Sequence, residues 1–287
     1  MPFYRSYDDT ALAYRVLGPS STPLVCLAGG PGRDAAYLGD LGGLDRSYRL
    51  LVPDARGTGQ SPPADDPDRY SFPALAQDLE SLRRELGLER FVLLAHGAAA
   101  ATAQCYAAAH PGRLSRLVLV CPEGRVQAAR SELPSDTLEI FESRSAEPWW
   151  PEASAAVQQL ATTSDPERIR TLLAQAAPMA YARWDAPQRA HAAAAPSQDN
   201  PVPRAGFPQG VDDLARLAVL KNLREVPCPV LVVTGELDTI TGVRVGELVA
   251  DSFPRGEWRR LSGVGHYPWV DDPELFRAAV TSFLGAL

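Results

Sequence analysis

Two residues in the last fifth of the chain have the types and the setting for acid–base chemistry. Asp238 follows an apolar run in Thr234-Gly235-Glu236-Leu237-Asp238, and His266 lies in Gly263-Val264-Gly265-His266-Tyr267-Pro268. A carboxylate beside an imidazole holds the ring tautomer and stabilises the cation, while the second ring nitrogen trades protons with a substrate. Each residue is expected at the end of its own strand, so the two form a candidate dyad. The other histidines lack that setting. His110 precedes Pro111 at a helix end, His191 falls in an alanine-rich helix and is expected to face solvent, and His96 precedes a turn that aims its ring away from a pocket. Without histidines paired at ligand spacing, neither a metal nor a cofactor is called for.

A third position matters for what stands there. Phe91 to His96 reads as a short apolar strand and Ala98 to His110 as an alanine-rich helix, joined by a sharp turn at Gly97. A corner of this kind can lift a nucleophile clear of a sheet. The tip of such a turn is a strained backbone region that costs most residues about 1–3 kcal/mol and glycine almost nothing. Here the five positions read Ala95-His96-Gly97-Ala98-Ala99, so the corner carries no hydroxyl or thiol. Cys105 lies about two turns into the helix, too deep to replace one. The loop Gly29-Gly30-Pro31-Gly32 follows the strand Leu24–Ala28 and can offer a main-chain N–H to a developing oxyanion. Gly30 and Ala98 are the candidate donors. The loop lacks the lysine and hydroxyl residue of a phosphate-binding loop.

The elements that must position these residues alternate in a recognisable way. An antiparallel hairpin is expected over Phe3–Tyr7 and Leu12–Leu17. Short apolar strands then alternate with helical periodicity up to Cys121, as in Leu75, Leu79, Leu82 and Leu86 after Pro73. From Glu123 to about residue 215 the chain turns to alanine-rich helical pieces broken by prolines, with Trp149-Trp150 among them. Strands resume at Pro229–Thr234 and Gly256–Leu261, and a helix from Pro273 to Leu284 ends the pattern. The economical account is an α/β fold. One mostly parallel eight-stranded sheet is flanked by helices (1–122 and 216–287), and a helical insertion (123–215) follows the sixth strand. The proline-rich stretch 199–210 is expected to be the loosest part of that insertion.

Composition bounds the function. With 287 residues, a net charge of −7 and 45% hydrophobic residues, the chain can bury a large core and is poorly suited to nucleic acid or an anionic membrane surface. A small-molecule substrate is the expected partner. The start Met1-Pro2-Phe3-Tyr4-Arg5 has no signal-peptide pattern, and Cys26, Cys105, Cys121 and Cys228 read as buried reduced thiols, which points to the cytoplasm.

Taken together, these motifs resemble α/β-hydrolases of the proline iminopeptidase type over nearly the whole chain. Gly29-Gly30-Pro31-Gly32 matches that family's HGGPG loop with Ala28 in place of histidine. Asp54-Ala55-Arg56-Gly57-Thr58-Gly59-Gln60-Ser61 matches its D-x-R-G-x-G-x-S run. The order elbow, Asp238, His266 is that of the family's triad, and the elbow itself departs from G-x-S-x-G at the serine, where Gly97 stands. The resemblance implies that the insertion 123–215 is a helical cap over the site. It also implies release of N-terminal proline or alanine, or cleavage of related amides, with acidic cap residues holding the substrate amine. Glu123 and Glu147 are candidates for that role, and Trp149 and Trp150 for covering the pocket. Three readings follow. The chain is a natural enzyme whose Asp238–His266 dyad and oxyanion hole perform cyclisation, elimination or C–C/C–O cleavage on a small carbonyl-containing metabolite. It is an aminopeptidase or amide hydrolase whose nucleophile has been removed. Or it is a non-catalytic binding protein. The retained dyad favours an enzyme, and the two departures at Gly97 and Ala99 favour the first reading.

Overall fold

The computed structural model describes residues 1–285. Among these, eight strands form one sheet in the order β1-β2-β4-β3-β5-β6-β7-β8. The strands are β1 (Phe3–Arg5), β2 (Ala11–Leu17), β3 (Pro23–Leu27), β4 (Arg49–Pro53), β5 (Phe91–His96), β6 (Leu114–Val120), β7 (Val230–Gly235) and β8 (Gly256–Leu261). The first hairpin and the β2–β4 pair are antiparallel, and all other neighbours are parallel. The central strand β5 is buried along its whole length, as its unbroken apolar run requires. Side chains alternate across it. Leu93 and Ala95 enter one core layer, and Val92 and Leu94 enter the other.

One layer is built on α1 (Phe72–Glu85) and α2 (Ala99–Ala109). Helix α2 is buried on every side from Ala99 to Ala108, and its small side chains let it sit between the sheet, α1 and a later helix. Between β6 and β7 the chain forms the helices α3 (Thr137–Ser143), α4 (Trp150–Leu160), α5 (Pro166–Ala176), α6 (Ala186–Ala193), α7 (Ala195–Gln198) and α8 (Pro201–Gly206), before α9 (Asp213–Leu223). The expected return to the core at 216 falls inside α9, which packs on α2 and begins three residues earlier. The second layer carries α11 (Pro268–Asp271) and α12 (Pro273–Leu284), while α10 (Arg244–Ala250) packs on β7 and β8.

The stretch 199–210, expected to be loose, is tied to the core instead. Asn200 N–H donates to the Gly32 carbonyl (2.8 Å), its side-chain amide donates to Gly57 O (2.8 Å), and Phe72 N–H donates to Phe207 O (3.1 Å). Pro201 and Pro203 stand in the first turn of α8, where a missing N–H costs nothing. The Asp54–Ser61 run is a structural knot. The buried Arg56 guanidinium binds Asp78 (Nε to Oδ2, 2.8 Å) and Asp8 (Nη1 to Oδ2, 2.8 Å), tying the end of β4 to the first hairpin and to α1. No helix among the described residues is long and apolar enough to cross a membrane.

Candidate active site

Asp238 follows β7 and is fully buried. Its Oδ1 accepts from the N–H groups of Ile240 (2.8 Å) and Thr241 (3.1 Å). Its Oδ2 accepts from the Thr241 hydroxyl (2.6 Å) and faces His266 Nδ1 at 3.0 Å. Burial pushes this carboxyl up, but the imidazole and the Thr241 donors outweigh it and hold it down at about 2. The Asp238 carboxyl is therefore an anion whose oxygens are all committed. His266 is 6% exposed, and its backbone N–H donates to the Ala180 carbonyl (2.8 Å), which sits between α5 and α6. With Nδ1 occupied, Nε2 turns to the elbow. Gly97 has φ +55°, and a Cβ built there would lie 3.6 Å from His266 Nε2.

The Gly29–Gly32 loop lies against that same corner. A Cβ on Gly29 would come within 2.0 Å of the His96 carbonyl and 3.1 Å of the Ala98 nitrogen, so only glycine permits the approach. Gly29 N–H donates to the Tyr37 hydroxyl (2.7 Å). That hydroxyl is then free to donate to His96 Nδ1 (2.8 Å), leaving His96 Nε2–H to donate to the His266 carbonyl (2.9 Å). Burial, followed by the nearby His266 ring, holds the His96 imidazole neutral by pushing its pKa well down. The Gly30 and Ala98 N–H groups donate to no acceptor among the described residues. Both line a cavity of about 60 Å³ bounded by Leu27, Leu75, Leu79, Tyr70 and Phe207.

The structure thus brings together Asp238, His266, Gly97, Gly30 and Ala98, and it disperses the candidates named in the cap. Glu123 N–H donates to the Gly97 carbonyl (3.2 Å), but its carboxylate is ion-paired with Arg125. Trp150 stacks on Phe141 with ring centroids 5.6 Å apart and donates to the Phe141 carbonyl (3.0 Å). Trp149 lies under the Arg144 guanidinium, 4.7 Å from its ring centroid. These are contacts within the cap, and Glu123, Glu147, Trp149 and Trp150 are absent from the cavity wall. Gly97 and His266 are not on that wall either, but they stand beside it, against Gly29 and Ala98.

Several contributors carried no signal in the sequence. Tyr37 is one. His191 is another, and it does not face solvent. Its Nδ1 meets the Tyr181 hydroxyl (2.7 Å), and its Nε2 meets the Tyr37 carbonyl (2.9 Å). Burial and the charge of Arg33 lower its pKa to about 4. Arg33 itself reaches Tyr267 Oη (3.1 Å) and the Gln198 amide oxygen (3.0 Å) from the rim of the cavity. Cys121 Sγ lies within 4.8 Å of ligand atoms of Asp238 and His266. The Asp238 oxygens are already satisfied, however, and burial drives the thiol pKa far up, so this trio is a dyad with a neutral thiol behind it.

Comparison with known proteins places the fold. The chain is 26% identical to RutD of Caulobacter segnis, named a candidate carbamate hydrolase, over 91% of each chain. It is also 26% identical to the proline iminopeptidase of Lactobacillus helveticus, over 99% of this chain and 96% of that one. The fold superposes on a thermophilic esterase from Thermogutta terrifontis with a TM-score of 0.69 and 21% identity, covering 99% of this chain and 97% of that one. Residues 22–273 match the sequence model of the alpha/beta hydrolase fold, and the chain belongs to that family.

Proposed function

We propose that this chain is an enzyme of the α/β-hydrolase fold that acts on a small carbonyl-containing metabolite without a covalent intermediate. The observation that carries the reading is the buried His266–Asp238 couple (3.0 Å), whose free nitrogen faces a corner with no nucleophilic side chain. The substrate carbonyl oxygen rests on the Gly30 and Ala98 N–H groups. His266 Nε2 takes a proton from the carbon beside that carbonyl, and the negative charge collects on the oxygen between the two donors. Asp238 holds the ring tautomer and stabilises the imidazolium. In an elimination the enolate expels a β-oxygen substituent, breaking its C–O bond, and the imidazolium protonates the leaving oxygen. In a cyclisation the enolate carbon bonds to a second carbonyl carbon of the substrate, and the new alkoxide takes the proton. For C–C cleavage the same base takes the proton of a β-hydroxyl instead, the C–C bond breaks to a carbonyl and an enolate, and the imidazolium returns the proton to the enolate carbon. Acid–base assistance of this kind is worth about 10²–10⁴-fold, enough for an activated carbonyl compound and too little for a peptide bond. Relatives named for a carbamate and for esters support a carbonyl substrate.

Exchange of the protons beside a ketone for deuterium tests this directly. Hexane-2,5-dione in D₂O should exchange faster with the protein than with buffer. His266→Ala should abolish the gain, and Asp238→Asn should lower it about tenfold or more. Equal exchange by the wild type and His266→Ala refutes the reading. A second reading, that of an amide or ester hydrolase lacking its nucleophile, is favoured by one observation. The space at residue 97 still points at His266 Nε2 from 3.6 Å.

A further inference from the structure

The cavity beside the elbow is walled mostly by apolar side chains, and its polar members are nearly all accounted for. Tyr70 Oη accepts from Ala64 N–H (2.8 Å), and Arg56 and Asp78 bind one another. Asp54 Oδ1 makes no hydrogen bond but keeps an ion pair with Arg15 Nη2 at 3.3 Å. Thr102 has neither. It is 4% exposed, it lines the cavity, and its hydroxyl has no hydrogen-bond partner. A threonine inside a helix ordinarily satisfies its hydroxyl on the carbonyl four residues back. Thr102 leaves that route unused, and a buried hydroxyl without a partner is costly. Such a cost calls for an explanation, and a ligand in the cavity supplies one.

Position along the helix sets what that ligand looks like. Thr102 follows Ala98 by four residues, so the two stand on one face of α2, about 6 Å apart along its axis at ~1.5 Å per residue. Both line the same cavity. A ligand whose carbonyl oxygen takes the Ala98 and Gly30 N–H groups therefore offers Thr102 whatever lies about 5–6 Å further on. The volume, about 60 Å³, equals the liquid share of about two water molecules, so the ligand is small and only part of it is enclosed there.

We propose that Thr102 is a specificity-determining residue, its hydroxyl binding a second oxygen on a small and otherwise apolar carbonyl substrate. The substrate class is a 1,4-dicarbonyl compound or its hydroxy-ketone equivalent. This rests on the reading of Gly30 and Ala98 as the carbonyl-binding donors, and it adds which carbonyl compounds the site selects.

Hexane-2,5-dione and hexan-2-one differ by the one oxygen in question. Each is titrated into the full-length protein in D₂O-containing buffer, with the amide shifts of Gly30 and Ala98 reporting occupancy and deuterium entry into the ketone reporting proton abstraction. The dione should bind about fivefold more tightly than the mono-ketone to the wild type. In Thr102→Val, which keeps the shape and removes the hydroxyl, the order should invert, and Thr102→Ser should keep the dione preference. A Thr102→Val ratio within twofold of the wild-type ratio overturns the proposal, as does the absence of shifts at both amides with either ketone. Preserved preference without deuterium entry refutes the acid–base reading and leaves the assignment of Thr102 standing. Deuterium entry that ignores Thr102→Val does the reverse.

Discussion

Gly97→Ser restores a hydroxyl where the site has room for one, and the structure sets both its gain and its cost. A Cβ at 97 lies 3.6 Å from His266 Nε2, so an Oγ one bond further on comes within the ~2.6–3.2 Å reach that a nucleophile and its base require. The Gly30 and Ala98 N–H groups, on the proposed reading, take the tetrahedral oxyanion. The cost is conformational. At φ +55° a side chain is held in a sparsely populated region, worth about 1–3 kcal/mol, or roughly 2–10 °C in melting temperature for a chain of this size. Gly97→Ala carries the same strain without the hydroxyl and is the control. Assayed on p-nitrophenyl acetate and alanine p-nitroanilide, Gly97→Ser should exceed Gly97→Ala by about 10²–10⁴-fold. The gain should vanish when His266→Ala is added. A folded Gly97→Ser protein that hydrolyses neither compound faster than Gly97→Ala refutes the placement of residue 97 against a competent base.

Tyr37→Phe should destabilise the fold by about 1–3 kcal/mol, because Gly29 N–H and His96 Nδ1 both lose their buried partner. Ketone exchange should fall with it, and a melting temperature unchanged from wild type counts against the bridge. The pH dependence of stability should carry the mark of His191. Its pKa is lowered to about 4 in the fold, so between pH 6.5 and 4 the unfolded chain binds a proton that the folded chain refuses. Stability is then lost as pH falls through that window, by about 1–2 kcal/mol after allowing for partial exposure. Melting curves of His191→Gln should lack this loss, and parallel curves for the two proteins argue against it. Asp238 acts lower down. Its depressed pKa contributes stability above about pH 4 that disappears toward pH 2.

How much of the site can be read without coordinates depends on the range of each interaction. The corner at Gly97 and the loop at Gly29 follow from local patterns, an apolar run meeting glycine and then helix. Asp238 and His266 are legible for the same reason, as polar residues just past strands. What escapes is what the fold assembles from afar. The His96 ring bonds Tyr37 across 59 residues and the His266 carbonyl across 170, and neither partner leaves a trace near residue 96. His191 misleads because its alanine-rich surroundings carry no amphipathic stripe, yet Tyr37, Tyr181 and Tyr267 enclose it. Trp149-Trp150 misleads for the opposite reason. Large aromatic residues in a cap suggest a lid, but the indole N–H of Trp150 finds its acceptor inside the cap. Thr102 reads only as one more small residue in an alanine helix, because an unused hydroxyl has no sequence pattern.

The way the site is held also explains how it can exist without a side chain at its tip. The couplings that align it run through Tyr37 and His96 to the His266 carbonyl, through Thr241 to Asp238, and from Gly97 N–H to the Val120 carbonyl (2.9 Å). None uses the side chain of residue 97. A serine there would be held by the frame but would not hold it, so its absence removes one reactive group and relaxes one strained dihedral. The donors, the base and its carboxylate stay where they are. On the reading proposed above, a frame of this kind with glycine at its tip keeps proton transfer beside a carbonyl within reach, because that reaction needs only the parts the frame fixes independently.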